Sequence, residues 1–433
     1  MSLVQRIAEY VKSKSKFEKA LIILVFCSTF LYPFINMILI YHGFVQVPRF
    51  NDFSAYYYAA ERFLTDESIY TTLNIFLMDP GNYSTLQYGN PFVYPPIVSI
   101  FFVPFTYLDF RAAGYAWDLL CIALLIISVK MLLKSEAVVL EKKLEVVLYV
   151  CAIGFSPVIT TLKAGQISIF IFFLLTLSWY MYRQGKKLFS GIFMLFAVTP
   201  KPPYFLAAGY FLQKRSFRAL LGMVVGLAGI IVISILLFSQ SELVTYIKDI
   251  VLLKSHEAAL NVGSGPMIID AGCIELIPIY HLEYISLFAR IAILLILGGL
   301  LLFNPKDSIY TKYLFSLSIV VVILISPIID TDDLVMLLIP FFLVGVSEYR
   351  MGSSLTVPLL SLFLVQIHPY SVEFIAKFGP CHFPTMFAQM SWIQDILPYI
   401  QPGMYGVLML FGLILYRMVF GMLYPHKLRE KEI

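Results

Sequence analysis

Charged side chains are scarce in this chain of 433 residues. Asp, Glu, Lys and Arg together make up 13% of it, whereas a soluble domain carries about 25%. Apolar residues make up 60%, and apolar segments recur from residue 20 to residue 424. This distribution excludes a large soluble domain and predicts an integral membrane protein.

Several common chemical motifs are also missing. The five cysteines form no C-x-x-C pair, and the six histidines form no H-E-x-x-H sequence, so zinc and redox motifs are absent. The glycine patterns of Walker and Rossmann nucleotide sites are absent too. We therefore predict no cofactor and no nucleic-acid partner. Cys273 and Cys381 fall in predicted outside loops, where we expect two free thiols rather than a disulfide.

Twelve segments are apolar and close to the length of about 20 residues that a membrane-spanning helix needs. The predicted spans are 18–41, 112–133, 144–161, 167–182, 188–199, 203–213, 217–238, 285–303, 311–327, 332–347, 355–367 and 403–419. Two short ones flank the sequence Thr199-Pro200-Lys201-Pro202-Pro203, where proline ends helical hydrogen bonding. The predicted fold class is an all-α polytopic membrane protein, with one domain over residues 1–433 and C-terminal membrane helices in 348–433.

The basic residues orient these spans. Most of the 31 lysines and arginines fall at the N-terminus, at the C-terminus and in turns on one side of the predicted bundle. The positive-inside rule then predicts a multi-pass cell-membrane protein with both termini in the cytoplasm. Residues 42–111 become the first outside loop, with an interfacial helix from Asp52 to Leu64 that Asp52 or Ser54 could cap. We predict that 94–108 is re-entrant or interfacial, because a crossing would move the basic turns outside.

The remaining polar clusters then lie on the outside. Asp52 is either a helix cap or a general base that takes a proton from an attacking hydroxyl group. Lys201, framed by prolines, is either a lysine reaching for the membrane surface or a ligand for a phosphate. Lys163, before Gly165 and Gln166, has the same two interpretations.

An acidic cluster follows the predicted span 311–327. Asp330, Asp332 and Asp333 could bind a divalent cation through oxygen ligands, bind sugar hydroxyl groups, or form a solvated turn. The solvated turn is the simplest interpretation for Asp330. Asp333 runs directly into an apolar segment, so a role in substrate binding is favoured there, with a divalent cation at Asp332 and Asp333 as the alternative.

The order of these motifs resembles that of glycosyltransferase family 87, whose members are membrane enzymes of the GT-C superfamily. The first motif, D-x-x-x-Y-Y-x-A-A, matches residues 52–60, and an F-x-Y-P-P motif matches residues 92–96. The later matches are Ser68-Ile69-Tyr70, Gly165-Gln166, Lys201-Pro202-Pro203, Asn261 with Ser264, and Ser326-Pro327 with Asp333. The resemblance covers roughly residues 20–345, and it implies a GT-C-like catalytic core over 18–347.

The resemblance implies an inverting transferase. Its donor would be a polyprenyl-phosphate sugar, most often mannose and in some relatives arabinofuranose. Its acceptor would be a hydroxyl group of a glycolipid or glycan at the non-cytoplasmic face of the bilayer. Asp52 would be the general base, and Lys201 with Lys163 would hold the donor phosphate. The predicted substrate-binding residues are Tyr57, Tyr94, Gln166, Asn261, Asp332 and Asp333.

Two other functions compete with this one. A transporter or flippase would need ionisable residues near the centres of several spans, and only Asp118 and Arg290 come close. A scaffold that binds polyprenol without catalysis would not need the carboxylate of Asp52.

Overall fold

The structure, a computed structural model, describes residues 15–41, 49–70, 92–248, 283–302, 308–326, 331–367 and 402–423. Within these ranges the chain forms α-helices and short 3₁₀ segments and no β-strand. The predicted all-α class is therefore confirmed for the described part of the chain. Asn261, Asp330, Cys273 and Cys381 lie outside the described residues.

Sixteen α-helices follow one another in this part of the chain. They are α1 (Lys16–Tyr41), α2 (Asn51–Leu64), α3 (Ile97–Ile100), α4 (Phe110–Ser135), α5 (Lys142–Ile153), α6 (Ser156–Ala164), α7 (Ser168–Arg183), α8 (Lys187–Val198), α9 (Gly209–Gln213), α10 (Phe217–Leu237), α11 (Gln240–Thr245), α12 (Glu283–Leu302), α13 (Ser308–Ile325), α14 (Leu338–Arg350), α15 (Thr356–Gln366) and α16 (Pro402–Leu423). The 3₁₀ segments are Val103–Tyr107, Pro202–Ala208 and Thr331–Leu337.

Each predicted span coincides with one helix or with two consecutive helical pieces. Three helices in the described part are long and apolar enough to cross a membrane: Phe110–Ser135, Phe217–Leu237 and Gly403–Phe420. The consecutive helices α5 and α6 would add a fourth if the bent pair is one span. Several other apolar helices are shorter, so the number of twelve crossings stays a prediction.

The bend between α5 and α6 is 58°. It leaves backbone groups without helical partners at a depth where water is scarce, and such groups must be satisfied by protein. The amide oxygen of Gln366 accepts the backbone N–H of Ser156 at 2.8 Å. The amide nitrogen of Gln366 donates to Thr29 at 2.7 Å. One side chain of α15 therefore joins the break to α1.

The segment 94–108 forms two short pieces, α3 and the 3₁₀ segment Val103–Tyr107. Pro104 lies in the first turn of the second piece, where a residue without an N–H is tolerated. Helical residues rise about 1.5–2 Å each, so neither piece approaches the roughly 30 Å of a bilayer core. This geometry favours the re-entrant or interfacial interpretation over a crossing.

Two buried glutamates pair with basic side chains at one end of the bundle. Glu136 is buried at the end of α4 and pairs with Lys312 at 2.7 Å and with Arg183 at 3.8 Å. Glu348 in α14 is buried and accepts from Arg417 at 2.8 Å. The basic partners belong to the turns and helix ends that the sequence places inside, and together they form the basic end of the bundle.

Helices α8 and α10 approach each other through glycines. A Cβ atom added at Gly222 would lie 2.0 Å from the carbonyl oxygen of Leu188, and one added at Gly191 would lie 1.8 Å from that of Ala219. Small residues at such crossings let two backbones touch inside a membrane. The contact holds α8, which leads into the Pro-rich break, against α10.

We expect Gly222→Ala to lower the unfolding temperature of the purified protein in detergent. The added methyl group has to push the two helices apart, and overpacking of this kind costs about 1–3 kcal/mol. The control is Gly229→Ala on the same helix, where an added Cβ meets nothing within 4 Å. Equal unfolding temperatures for the two variants would contradict the packing described here.

Candidate functional site

Polar motif residues from separate parts of the sequence meet around one cavity of about 280 Å³. It is lined by Val93, Tyr94, Gln166, Pro200, Lys201, Pro202, Pro203, Tyr204, Val322, Ser326 and Asp333. The predicted site residues Tyr94, Gln166, Lys201 and Asp333 are therefore neighbours in the fold. The cavity lies where α7 begins and α13 ends, whereas Arg183 and Lys312, at the other ends of these helices, belong to the basic end.

Helix α2 carries Asp52 and starts against the loop before α7. The backbone N–H of Phe50 donates to the carbonyl of Lys163 at 2.9 Å, and Phe50 itself takes a left-handed conformation with φ 64°. The prediction that Asp52 or Ser54 caps this helix is wrong, because Phe50 occupies the cap position without a side-chain hydrogen bond. Asp52 instead lies in the first turn, where the helix dipole favours a negative charge.

Tyr56 connects α2 to the cavity, and the sequence prediction missed it. Its buried hydroxyl donates to the amide oxygen of Gln166 at 2.7 Å and is hydrogen-bonded to the hydroxyl of Tyr94 at 2.9 Å. Residues four apart lie on the same face of a helix, so the spacing from Asp52 could have singled out Tyr56. Tyr57, which was predicted, donates instead to the carbonyl of Leu108 at 2.8 Å.

Tyr94 lies within electrostatic reach of both Asp52 and Lys201. Burial raises the pKa of the Tyr94 hydroxyl, Lys201 lowers that pKa, and Asp52 and Asp333 raise it. Burial and the Tyr94 and Asp52 charges likewise raise the pKa of Tyr56. Both hydroxyls therefore keep their protons near neutral pH, and the carboxylate of Asp52 and the ammonium of Lys201 act on one common neighbour.

Lys201 is held by two side chains. Its ammonium pairs with the carboxylate of Asp333 and lies 3.3 Å from the hydroxyl of Ser168, which is itself 3.3 Å from the same carboxylate oxygen. Lys201 precedes the 3₁₀ segment Pro202–Ala208, so the chain turns sharply at this point. Ser168 is a second residue that the sequence prediction missed, because a single serine at a helix start has no distinctive pattern.

Gly165 and Gln166 form the turn between α6 and α7, and the turn favours glycine at its first position. Gly165 ends α6 with φ 70°, a left-handed conformation that favours glycine, and a Cβ there would lie 2.6 Å from Cβ of Phe53. The indole N–H of Trp117 donates to the carbonyl of Gly165 at 3.1 Å. The turn therefore sets Gln166 against the cavity while α2 packs behind it.

Other predicted site residues are not among those that line the cavity. The backbone carbonyl of Lys163 accepts a hydrogen bond from the N–H of Phe50, and the side chain of Lys163 is half-buried. The backbone carbonyl of Asp332 accepts from Thr161 at 3.3 Å, and its side chain is buried. Asp52 and Tyr57 also lie apart from the lining, and Asn261 falls outside the described residues. The structure thus separates Asp333, which lines the cavity, from Asp332.

The acidic cluster does not have the composition of a typical metal centre in the part of the chain that the structure describes. No group of three or more His, Cys, Asp or Glu side chains there could hold a metal ion. The carboxylate of Asp333 already has a cationic partner in Lys201. Asp118, one of the two ionisable residues that would favour a transporter, pairs with Arg49 at 3.4 Å near the start of α4.

The Lys201–Asp333 pair should show coupling in a double-mutant cycle. Lys201→Met and Asp333→Leu each leave a largely buried charge without its partner, so each should lower the free energy of unfolding by about 1–3 kcal/mol. The double variant should lose less than the sum of the two, as coupled neighbours do. Strictly additive losses in denaturation experiments would mean that the two charges do not stabilise each other.

Comparison with known proteins identifies a family to which this chain is similar. A family model described as glycosyltransferase family 87 matches residues 92–327, more than half of the 433 residues. The matched region includes Tyr94, Gln166 and Lys201, begins after Asp52 and ends before Asp333. No curated protein and no solved structure matches the chain.

Proposed function

The chain belongs to glycosyltransferase family 87, and from that premise we propose that it moves a sugar from a polyprenyl-phosphate donor to a hydroxyl group, with Asp52 as the general base. Membership of the family makes it a membrane glycosyltransferase. The donor, the acceptor and the roles of individual residues are the proposal. Its main support is that the motif residues Tyr94, Gln166, Lys201 and Asp333 line one cavity, and Asp52 lies within electrostatic reach of Tyr94 in that lining.

A general base and a phosphate ligand have to lie on opposite sides of the same reacting carbon. Asp52 lies in the first turn of α2 and is not among the residues that line the cavity, whereas Lys201 lines it from the Pro-rich break after α8. Tyr94 lies within electrostatic reach of both. This arrangement suits a reaction in which a proton leaves on one side and negative charge develops on the other.

The proposed step is a single displacement. The acceptor oxygen forms a bond to the anomeric carbon of the sugar while its proton passes to the carboxylate of Asp52. The bond between the anomeric carbon and the phosphate oxygen breaks, and its electron pair stays on the lipid phosphate. The ammonium of Lys201 stabilises that growing charge. Attack from the face opposite the phosphate inverts the anomeric configuration.

The identity of the sugar follows the family resemblance, with mannose as the first choice and arabinofuranose as the alternative. The acceptor is proposed to be a glycolipid or glycan at the non-cytoplasmic face. The basic end of the bundle supports this orientation, because Arg183 and Lys312 lie at the far ends of helices that reach the cavity. Basic residues collect on the cytoplasmic side of membrane proteins.

The direct test is a product assay. Purified full-length protein in lipid nanodiscs would be given polyprenyl-phosphate mannose or polyprenyl-phosphate arabinofuranose together with a membrane lipid extract, and new glycolipids would be identified by mass spectrometry. A product that carries one added sugar is expected with one of the two donors. The absence of any sugar transfer from a lipid-phosphate donor would contradict the proposed donor class.

Asp52→Asn should lower kcat by about 10²–10⁴-fold, the range that a positioned general base contributes, while binding of the donor persists. The matched control is Glu61→Gln, which removes an exposed carboxylate from the same helix and should keep most of the activity. Single-turnover assays with the active donor would separate turnover from binding. An equal loss in both variants would mean that Asp52 acts through the helix rather than on the substrate.

Lys201→Met should lower kcat/KM for the donor by about 10–150-fold, as expected for a lost hydrogen bond to a charged group at 1.5–3 kcal/mol. Lys163→Met is the comparison, because this second predicted phosphate ligand is not among the residues that line the cavity. Its loss should be clearly smaller. A larger loss at Lys163 than at Lys201 would reverse the assignment of the phosphate ligand.

A further inference from the structure

The amide of Gln166 is held in one orientation by its neighbours. Its oxygen Oε1 accepts the hydroxyl proton of Tyr56 at 2.7 Å and the backbone N–H of Ile167 at 3.0 Å. A backbone N–H can only donate, so the atom that it meets has to be the amide oxygen and not the amide nitrogen. The hydrogen bonds alone therefore distinguish the two ends of this amide.

The nitrogen Nε2 of Gln166 is left as the group without an acceptor. Its side chain is 5% exposed and lines the cavity. In the described ranges of the chain, no side chain or carbonyl accepts from Nε2. The amide nitrogen carries two N–H donors. The cavity is the place where a bound molecule could supply the acceptor.

The surroundings of Nε2 favour an anion as that acceptor. Helix α7, 16 residues long, starts at Ser168, and the first turn of a helix presents backbone N–H groups and the positive end of the helix dipole. The ammonium of Lys201 lies 3.3 Å from the hydroxyl of the same Ser168. Gln166 and Lys201 line the cavity, and the start of α7 lies directly beside them.

An anion-binding site here needs neutral hydrogen-bond donors, because the positive charge of Lys201 is compensated. Asp333 pairs with it, so the pair together attracts an anion far less than a lone ammonium would. Binding of an anion here therefore needs a further donor, and the amide of Gln166 supplies it.

We infer that Nε2 of Gln166 forms, with Lys201, a binding site for the phosphate of the lipid donor beside the start of α7, and that Tyr56 is the positioning residue that orients the amide. This inference rests on the proposed function for the identity of the phosphate. It adds two things to that function. The neutral amide of Gln166 donates a hydrogen bond to the phosphate. Tyr56 links helix α2, which carries Asp52, to that amide.

The test compares farnesyl phosphate with farnesol, two probes that differ only in the phosphate. Each would be titrated by calorimetry into full-length protein in detergent, with inorganic phosphate as a third probe. The wild-type protein should bind farnesyl phosphate more tightly than farnesol or inorganic phosphate. Absence of that preference would overturn the site, and equally tight binding of inorganic phosphate would overturn its assignment to a lipid phosphate.

Gln166→Met removes the donor without adding charge. It should weaken binding of farnesyl phosphate by about 10–150-fold, as for a lost hydrogen bond to an anion, and leave binding of farnesol within about twofold, since the apolar contacts are kept. Gln166→Glu has the same shape as glutamine but places a carboxylate at the site. It should weaken binding of farnesyl phosphate at least as much as Gln166→Met does. It therefore provides the test if Gln166→Met does not fold. Unchanged binding of farnesyl phosphate, or an equal loss for farnesol, would overturn the inference.

Tyr56→Phe tests the positioning role against a matched control. It removes the hydroxyl that holds Gln166, whereas Tyr57→Phe removes the neighbouring hydroxyl, which donates to the carbonyl of Leu108. Tyr56→Phe loses two hydrogen bonds, to Gln166 and to Tyr94, and Tyr57→Phe loses one. The unfolding temperatures of both variants are therefore measured, and that of Tyr56→Phe is expected to be the lower. Only Tyr56→Phe should reduce the preference for phosphate, by about 3–10-fold, as expected for an indirect effect of one neutral hydrogen bond. The same reduction in Tyr57→Phe would make the effect merely structural and overturn the assignment.

Asp52→Asn separates this inference from the proposed function. In the same titration it should keep the preference for farnesyl phosphate, because Asp52 is proposed to act on the acceptor. Loss of that preference in Asp52→Asn would overturn the division between the two sites. Full turnover in Asp52→Asn, with the phosphate preference still dependent on Gln166, would reject the general base and leave the phosphate site standing.

Discussion

Polar groups buried among apolar helices have to find their partners within the protein, and this constraint organises the molecule. Where a helix breaks, a side chain from another helix takes up the freed backbone group, as Gln366 does for Ser156. Where a carboxylate is buried, a basic side chain follows, as Lys312 does for Glu136. At the cavity the same constraint is met by hydroxyl and amide groups that hydrogen-bond one another. The places where partners remain to be supplied are then the places where a ligand can bind.

The two ends of the bundle meet the constraint in different ways. At the basic end, ion pairs between buried glutamates and arginine or lysine close the structure, and they link α4, α7 and α13. At the cavity the helices begin or end in glycine, proline and 3₁₀ turns, and the side chains leave space between them. One end is therefore filled by its own charges, and the other has room for a substrate.

Much of the helical framework could be predicted from hydropathy, because apolar segments near the length of a membrane span mark it directly. The predicted segment 217–238 coincides with α10, and the motif at 52–60 lies on α2 as expected. The individual site residues were harder to assign, because similar residues stand side by side. Three tyrosines occur in a row on α2, and only the start of the helix decides that Tyr56 points to Gln166. Asp332 and Asp333 differ in the same way, since only Asp333 lines the cavity.

The pairing of Lys201 with Asp333 also bears on how the product would be released from such a site. An ammonium strong enough to stabilise a departing phosphate would also retain the spent lipid carrier and slow the next cycle. In the proposed reaction, the carboxylate of Asp333, which pairs with the same ammonium, would compete with that carrier and take its place once it leaves. Asp333 would thus lower the affinity of the site for the donor and also reduce inhibition by the lipid phosphate that remains after transfer. Release of this product would then depend on a residue that need not contact the sugar.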